Sequence, residues 1–184
     1  MDNCSNCNNC NQCPCLCRSQ LGPFSAVDLC GIPGVIPVIP TACSGLCEYG
    51  YIYNLSPEVV AVEADIIFDS TGIVTPGITH IPGTSQIFIT SPGVYEVTFS
   101  VSGVEPNQFT LYLNGAPLPE TVYGSGAGTQ QNNGQAIIAI PSGGILTLRN
   151  HSSAAAVILQ TLAGGTQTNV NASIILKMLS PVVQ

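Results

Sequence analysis

Val94-Tyr95-Glu96-Val97-Thr98-Phe99-Ser100-Val101-Ser102 alternates without a break, with Tyr95, Val97, Phe99 and Val101 on one side and Glu96, Thr98, Ser100 and Ser102 on the other. A period of two marks a strand with one buried and one polar face. Phe109-Thr110-Leu111-Tyr112-Leu113 follows and stops at Asn114-Gly115. That dipeptide accepts the positive φ angles of a tight turn, so a hairpin partner is expected next. Strands are then predicted over residues 136–140, 145–149, 156–162 and 170–179, separated by Pro-Ser-Gly-Gly, Asn-His-Ser-Ser and Ala-Gly-Gly-Thr. Many short strands at near-even spacing with Gly, Ser and Asn turns specify an all-β sandwich or barrel.

Upstream, residues 61–68 and 84–90 read as the opening strands, and Pro92-Gly93 turns the chain into the alternating segment. The total is about eight to ten strands and no convincing helix. The late strands carry apolar groups on both faces: Ala136-Ile137-Ile138-Ala139-Ile140, Val157-Ile158-Leu159, and Ile174-Ile175-Leu176 with Met178 and Leu179. A strand apolar on both sides of a two-layer sandwich needs cover from outside its own sheet, and a neighbouring subunit supplies it. Ile137, Ile138, Ile140, Ile158, Ile175 and Leu179 are the candidate interface residues. Lys177 joins them: it and Arg149 are the only bases beyond Arg18, both on predicted strands, where an ion pair at a subunit seam is a better reading than a ligand site.

The other end of the chain is chemically different. Residues 1–20, MDNCSNCNNCNQCPCLCRSQ, hold almost nothing apolar and read as an extended arm. Residues 21–54 read as a linker, stiffened by Pro33, Pro37 and Pro40 toward a polyproline-like path. Residues 55–184 are the predicted head. All nine cysteines, Cys4, Cys7, Cys10, Cys13, Cys15, Cys17, Cys30, Cys43 and Cys47, precede the head. An odd count leaves at least one thiol for another chain, so all nine are candidates for interchain disulfides. Cys4-x-x-Cys7 and Cys10-x-x-Cys13 also have the spacing of zinc-knuckle halves, but only two residues separate them, where zinc ribbons leave a longer loop, and neither His80 nor His151 is near. Cross-linking is the favoured reading and zinc the alternative.

Charged residues are 7% of the chain against about 25% in an average soluble domain, so Thr, Ser, Asn, Gln and apolar groups cover much of the surface. Three Lys+Arg against ten Asp+Glu leave a net charge of -7 and no basic patch for a phosphate backbone, which argues against nucleic acid. The apolar run at 31–40 is broken by prolines and too short to span a membrane. The first twenty residues show neither a basic n-region nor an apolar h-region, so no secretory signal is visible.

Catalytic motifs are weak. Gly124-Ser125-Gly126-Ala127-Gly128 leads toward a strand rather than a helix, and a turn is the better reading than a phosphate loop. Ser125 sits in no nucleophile elbow, and His80 and His151 read as ordinary loop residues. Glu58, Glu63, Asp65 and Asp69 form a loose acidic group without calcium-loop spacing, read as solvated surface charge. No enzyme activity, cofactor or metal is expected.

SVSGVEPNQFTLYLNG (residues 100–115), YGSGAGTQQNNGQ (123–135) and LTLRNHSSAAAVILQTLAGGTQTNVNAS (146–173) resemble the C-terminal head of the BclA-type collagen-like glycoproteins of the bacillus exosporium. The resemblance spans residues 65–179. It implies a jelly roll similar to complement C1q and tumour necrosis factor, assembled as a homotrimer, on the surface of a spore, and it implies no catalytic residues. Two departures stand out. Only residues 31–36 keep the Gly-x-y period of a collagen stalk, and the cysteine-rich arm stands where that family has its targeting leader. The expectation is a structural spore-surface protein, tethered through its arm to neighbouring trimers or to an anchoring protein. A fibre subunit polymerising through the arm is one alternative. A module binding host or glycan ligands is the other, weakened by the absence of tryptophan.

Overall fold

The computed structural model describes residues 46–128 and 130–181. Its strands are β1 (Tyr49–Asn54), β2 (Val59–Val60), β3 (Ser70–Val74), β4 (Ile78–His80), β5 (Ile87–Ile89), β6 (Gly93–Val101) and β7 (Asn107–Leu113), followed by β8 (Ala116–Pro117), β9 (Tyr123–Ser125), β10 (Asn132–Ile140), β11 (Gly144–Asn150), β12 (Val157–Ile158) and β13 (Ala172–Pro181). One 3-10 turn, Pro119–Thr121, is the only helical element among the described residues. A five-stranded sheet in the order β10-β6-β13-β1-β3 faces a second sheet in the order β4-β5-β11-β7-β8, with β9 beside β7 and a small ribbon of β12 and β2. All pairings are antiparallel.

Alternation places the core. On β6, Tyr95, Val97, Phe99 and Val101 are buried and the residues between them half-buried. They meet Ile52 from β1, Ile174 and Leu176 from β13, and Phe109, Leu111, Leu146 and Leu148 from the second sheet. The hairpin predicted at Asn114-Gly115 is present: Asn114 has φ 53 and Gly115 φ 79, both positive, and β8 pairs back on β7. Gly134 fills a different need. A Cβ there would run into the Phe99 ring, which Tyr123 meets edge-on at 5.8 Å between ring centres.

Four expectations are corrected. The head begins before residue 55, because Tyr49–Asn54 is a strand between β13 and β3. The linker expected over 21–54 is therefore part of the sandwich in its last residues. Residues 61–68 form no continuous strand: Glu63 takes φ 63, and Asp65 and Phe68 make only isolated bridges. Ile138 and Ile140 are 5% and 1% exposed and belong to the subunit's own core, because only alternate residues of β10 face outward. His80 is no loop residue. It is buried on β4, its Nδ1 2.7 Å from Thr71 Oγ1 and its Nε2 3.0 Å from Thr84 O. The arm, residues 1–20, lies outside the described residues, as do the cysteines from Cys4 to Cys43.

Two outcomes follow. A chain beginning at residue 43 unfolds cooperatively in urea, whereas one beginning at residue 55 lacks β1, leaves β3 without a partner and one edge of β13 open, and aggregates or melts without a transition. Gly134→Ala destabilises the head by about 1–3 kcal/mol, the range for overpacking a filled core, read as a lowered urea midpoint at unchanged slope.

Candidate functional site

The outward face of the five-stranded sheet is assembled by register. Ile137 of β10 lies opposite Glu96 of β6, Glu96 opposite Lys177 of β13, and Lys177 opposite Tyr49 of β1. The next row is Gln135, Thr98, Ile175 and Tyr51, and the one after it Asn133, Ser100, Ser173 and Tyr53. Tyr51 and Tyr53 stack with ring centres 5.0 Å apart. Burial, with Tyr53 close by, pushes the Tyr51 phenol above its usual range. Ile137 is 66% exposed, Leu179 48%, Tyr49 40% and Ile175 37%. The single cation of the face, Lys177, is answered within the subunit by Glu96 at 3.5 Å.

Of the predicted interface residues, Ile137, Ile175, Lys177 and Leu179 are thus brought to one face. Ile158 is exposed too, but lies on the β12 ribbon instead. The tyrosines of β1 escaped the sequence reading, although Tyr49-Gly50-Tyr51-Ile52-Tyr53-Asn54 alternates as a strand should. Cys47, at the entry to β1, packs against the core and is disulfide-bonded, so it is a bonded half-cystine rather than an open thiol.

The acidic residues scatter among separate partners. Asp65 holds Arg149 at 2.7 Å, and the Arg149 guanidinium lies 4.1 Å over the Tyr112 ring. Glu63 Oε1 is 3.0 Å from His151 Nδ1 and accepts the Ser152 N–H at 3.0 Å. Tyr112 Oη is 3.0 Å from His151 Nδ1. The hydrogen bond with His151 and that from Ser152 N hold the Glu63 carboxyl below its usual range, and burial raises the Tyr112 phenol. Glu58, raised by burial, accepts from Ile67 N, and Asp69 accepts from Leu55 N and Ser56 N. Ser125 Oγ donates to Ala127 O and Gln130 O, closing a turn. No serine in this arrangement meets a histidine, and no group of three metal-ligating side chains converges among the described residues.

Buried asparagines close the end of the sandwich at Asn54. Asn54 Nδ2 donates to Asn171 Oδ1 at 2.9 Å, and Asn132 Nδ2 to Asn107 Oδ1 at 2.9 Å. Beside them is a cleft of about 320 Å³, lined among others by Ser102, Gly128, Gln130, Gln131, Gln160 and Asn169, with no charged side chain.

No protein-family description matches the chain, and no curated protein sequence matches it. Among solved structures it is similar to the globular domain of zebrafish complement 1qA protein, at 11% identity and a TM-score of 0.56, over 73% of this chain and 98% of that one. It is also similar to Eiger TNF from S. frugiperda, at 12% identity and a TM-score of 0.53, over 74% of this chain and 94% of that one. The fold is that of the C1q/TNF globular domains.

The Glu63 pairing fixes a pH dependence. A carboxyl whose folded pKa is depressed stabilises the folded state above its unfolded value, here 4.5, and that stability is lost as pH falls through the folded value. The melting temperature of Glu63→Gln therefore lies below that of the unaltered chain at pH 7, and the gap narrows in melts run at pH values progressively below 4.5.

Proposed function

We propose that the chain is a structural protein of the bacterial spore surface, built from a homotrimeric head and a cysteine-rich arm that cross-links it to its surroundings. The observation that carries the reading is the outward face of the five-stranded sheet. It presents Ile137, Ile175, Leu179 and three tyrosines, with its one Lys already paired. Such a face matches the core of a permanent interface, where aromatic and aliphatic groups meet and unpaired charge is excluded. The C1q/TNF fold of the head supports three copies, and the likeness of residues 100–115, 123–135 and 146–173 to BclA-type heads supports the spore surface. The six cysteines from Cys4 to Cys17 lie in a stretch with little to bury, where bridges within one arm close very small loops and gain little. Three arms on one head have an effective mutual concentration in the millimolar range, which favours bridges between chains once the compartment is oxidising.

A second reading, a fibre subunit, is favoured by the polarity of the head. The chain enters at the Tyr49 end of β1, and the uncharged cleft lies at the Asn54 end. The described chain thus begins at one end of β1 and the cleft lies at the other.

Sedimentation under reducing conditions gives a mass of three chains, and Ile137→Asp with Ile175→Asp reduces it to one. A monodisperse monomer for the unaltered chain would refute the trimer. On non-reducing gels the full chain runs as covalent multimers that collapse to single chains with reductant. Arm cysteines all free after alkylation, or saturated with zinc, would replace cross-linking by the metal reading.

A further inference from the structure

Residues 1–45 join the described head at Leu46, so tension on them enters it there whatever path they take. The chain is fastened before its first strand begins. Cys47 packs against the core. Glu48 stands one position ahead of the first register pair of β1, Tyr49 with Lys177, and its carboxylate is half-buried. Ser91 Oγ donates to Glu48 Oε1 at 3.0 Å, while Gly77 N at 3.0 Å and Thr75 Oγ1 donate to Oε2. The Glu48 backbone carbonyl accepts Met178 N at 2.8 Å.

The side-chain partners lie where the chain crosses between the two sheets. Residues 75–77 join β3 of the five-stranded sheet to β4 of the other, and Ser91 lies between β5 and β6, where the chain crosses back. One carboxylate therefore ties both crossings to the start of β1, and Met178 adds the central strand β13. The crossings are tied to each other as well, since Thr90 N donates to Gly77 O at 2.9 Å. Ser142, in the crossing from β10 to β11, donates from Oγ to Thr90 O at 3.0 Å. Thr75 closes the node on the next residue: its Oγ1 accepts Tyr49 N at 2.9 Å and its N donates to Tyr49 O at 3.0 Å. A side chain at position 77 would run into Ser91 Oγ and the Glu48 carboxyl, so glycine there is a condition of the arrangement. An ionised carboxylate only accepts, and bonds of this charge-assisted kind are the stronger ones.

Beyond the node, β1 is held along both edges, by β13 and by β3. Ladder bonds of antiparallel strands run across the strands, so a pull along β1 strains them together, whereas a pull that lifts its end opens them one at a time. We propose that Glu48 is a mechanical joint: it receives tension arriving from the arm, shares it between the two sheets through their crossings, and keeps it from peeling β1 away from its end. The inference rests on the reading of the arm as a tether and adds what the head must do to hold one.

The test pulls the full chain at constant force in reducing buffer, where tension passes along the backbone alone. Labelled chain is mixed with excess unlabelled chain, and DNA handles are attached in two geometries through the N-terminus or through azide-bearing residues. One runs from the N-terminus to position 163, which lines the cleft at the far end, and draws on Leu46 along β1. The other runs from position 120 to position 163 and bypasses Glu48. Glu48→Gln keeps the shape but removes the charge and sets an N–H against donors. It shortens the dwell before the first unfolding step about tenfold or more in the first geometry, the worth of a hydrogen bond to a charged group, and leaves the second nearly unchanged. Ser91→Ala, which removes one donor, shortens the dwell in the first geometry alone and by a smaller factor, and it decides the matter if Glu48→Gln does not fold. Equal shortening in both geometries is stabilisation without direction and overturns the proposal, as does no change in either. Non-reducing gels read the tether separately: single chains with the directional effect refute the tether and leave the joint, and covalent multimers without it do the reverse.

Discussion

The pairing of β13 with β6 on one side and β1 on the other is the contact on which the rest of the head depends. β13 occupies the centre of its sheet, and its ten residues supply both of the surfaces that matter. Ile174, Leu176 and Met178 point inward to the core, and Ile175, Lys177 and Leu179 point outward. A slip of one residue would exchange the two sets, placing Lys177 in the core and Ile174 on the outside. Register therefore decides both what is buried within the head and what its outer face carries. The strand ends in a bulge between Met178 and Ser180 where it meets Gly93, and a side chain at Gly93 would press on Ser180 O at 2.8 Å.

Much of this was legible in the sequence. The strict alternation at 94–102 became β6 with the expected residues inside, and Asn114-Gly115 became a hairpin tip with both φ angles positive. β1 escaped because its pattern is inverted: tyrosines, which read as the buried set, face outward, while Gly50, Ile52 and Asn54 face in. A strand whose large side chains face outward does not look amphipathic in the usual sense. Residues 61–68 failed for the opposite reason, since the alternation is present but Glu63 turns left-handed to meet His151 and Ser152. No local pattern announces a partner 88 positions away.

The candidate interface was half visible. Apolar runs such as Ile137-Ile138 show that both faces of a strand carry apolar groups, but not which residue faces which way. Orientation comes from register with β6, which pairs Ile137 with Glu96 and Ile138 with the buried Tyr95. The asparagine pairs that close the Asn54 end were also invisible. Asn54 and Asn171 lie 117 positions apart, and their burial is tolerated because the Asn54 amide donates to Asn171 Oδ1 and the Asn171 amide to Ser56 O. Tyr95 shows the same economy in the core. Its hydroxyl donates to Ser91 O at 2.7 Å, and burial pushes its pKa up to about 12.

The scarcity of charge has a consequence for the surroundings the head can occupy. Among the described residues the ion pairs are Arg149 with Asp65, Lys177 with Glu96 and, when the imidazole is protonated, His151 with Glu63. At about 1 M salt the screening length falls to about 3 Å and these half-exposed pairs weaken, but with so few of them added electrolyte has little to remove. Burial and backbone hydrogen bonds hold the rest, and strongly hydrated salts reinforce burial. A surface built this way keeps its shape in fresh water and in the concentrated brine left by a drying film.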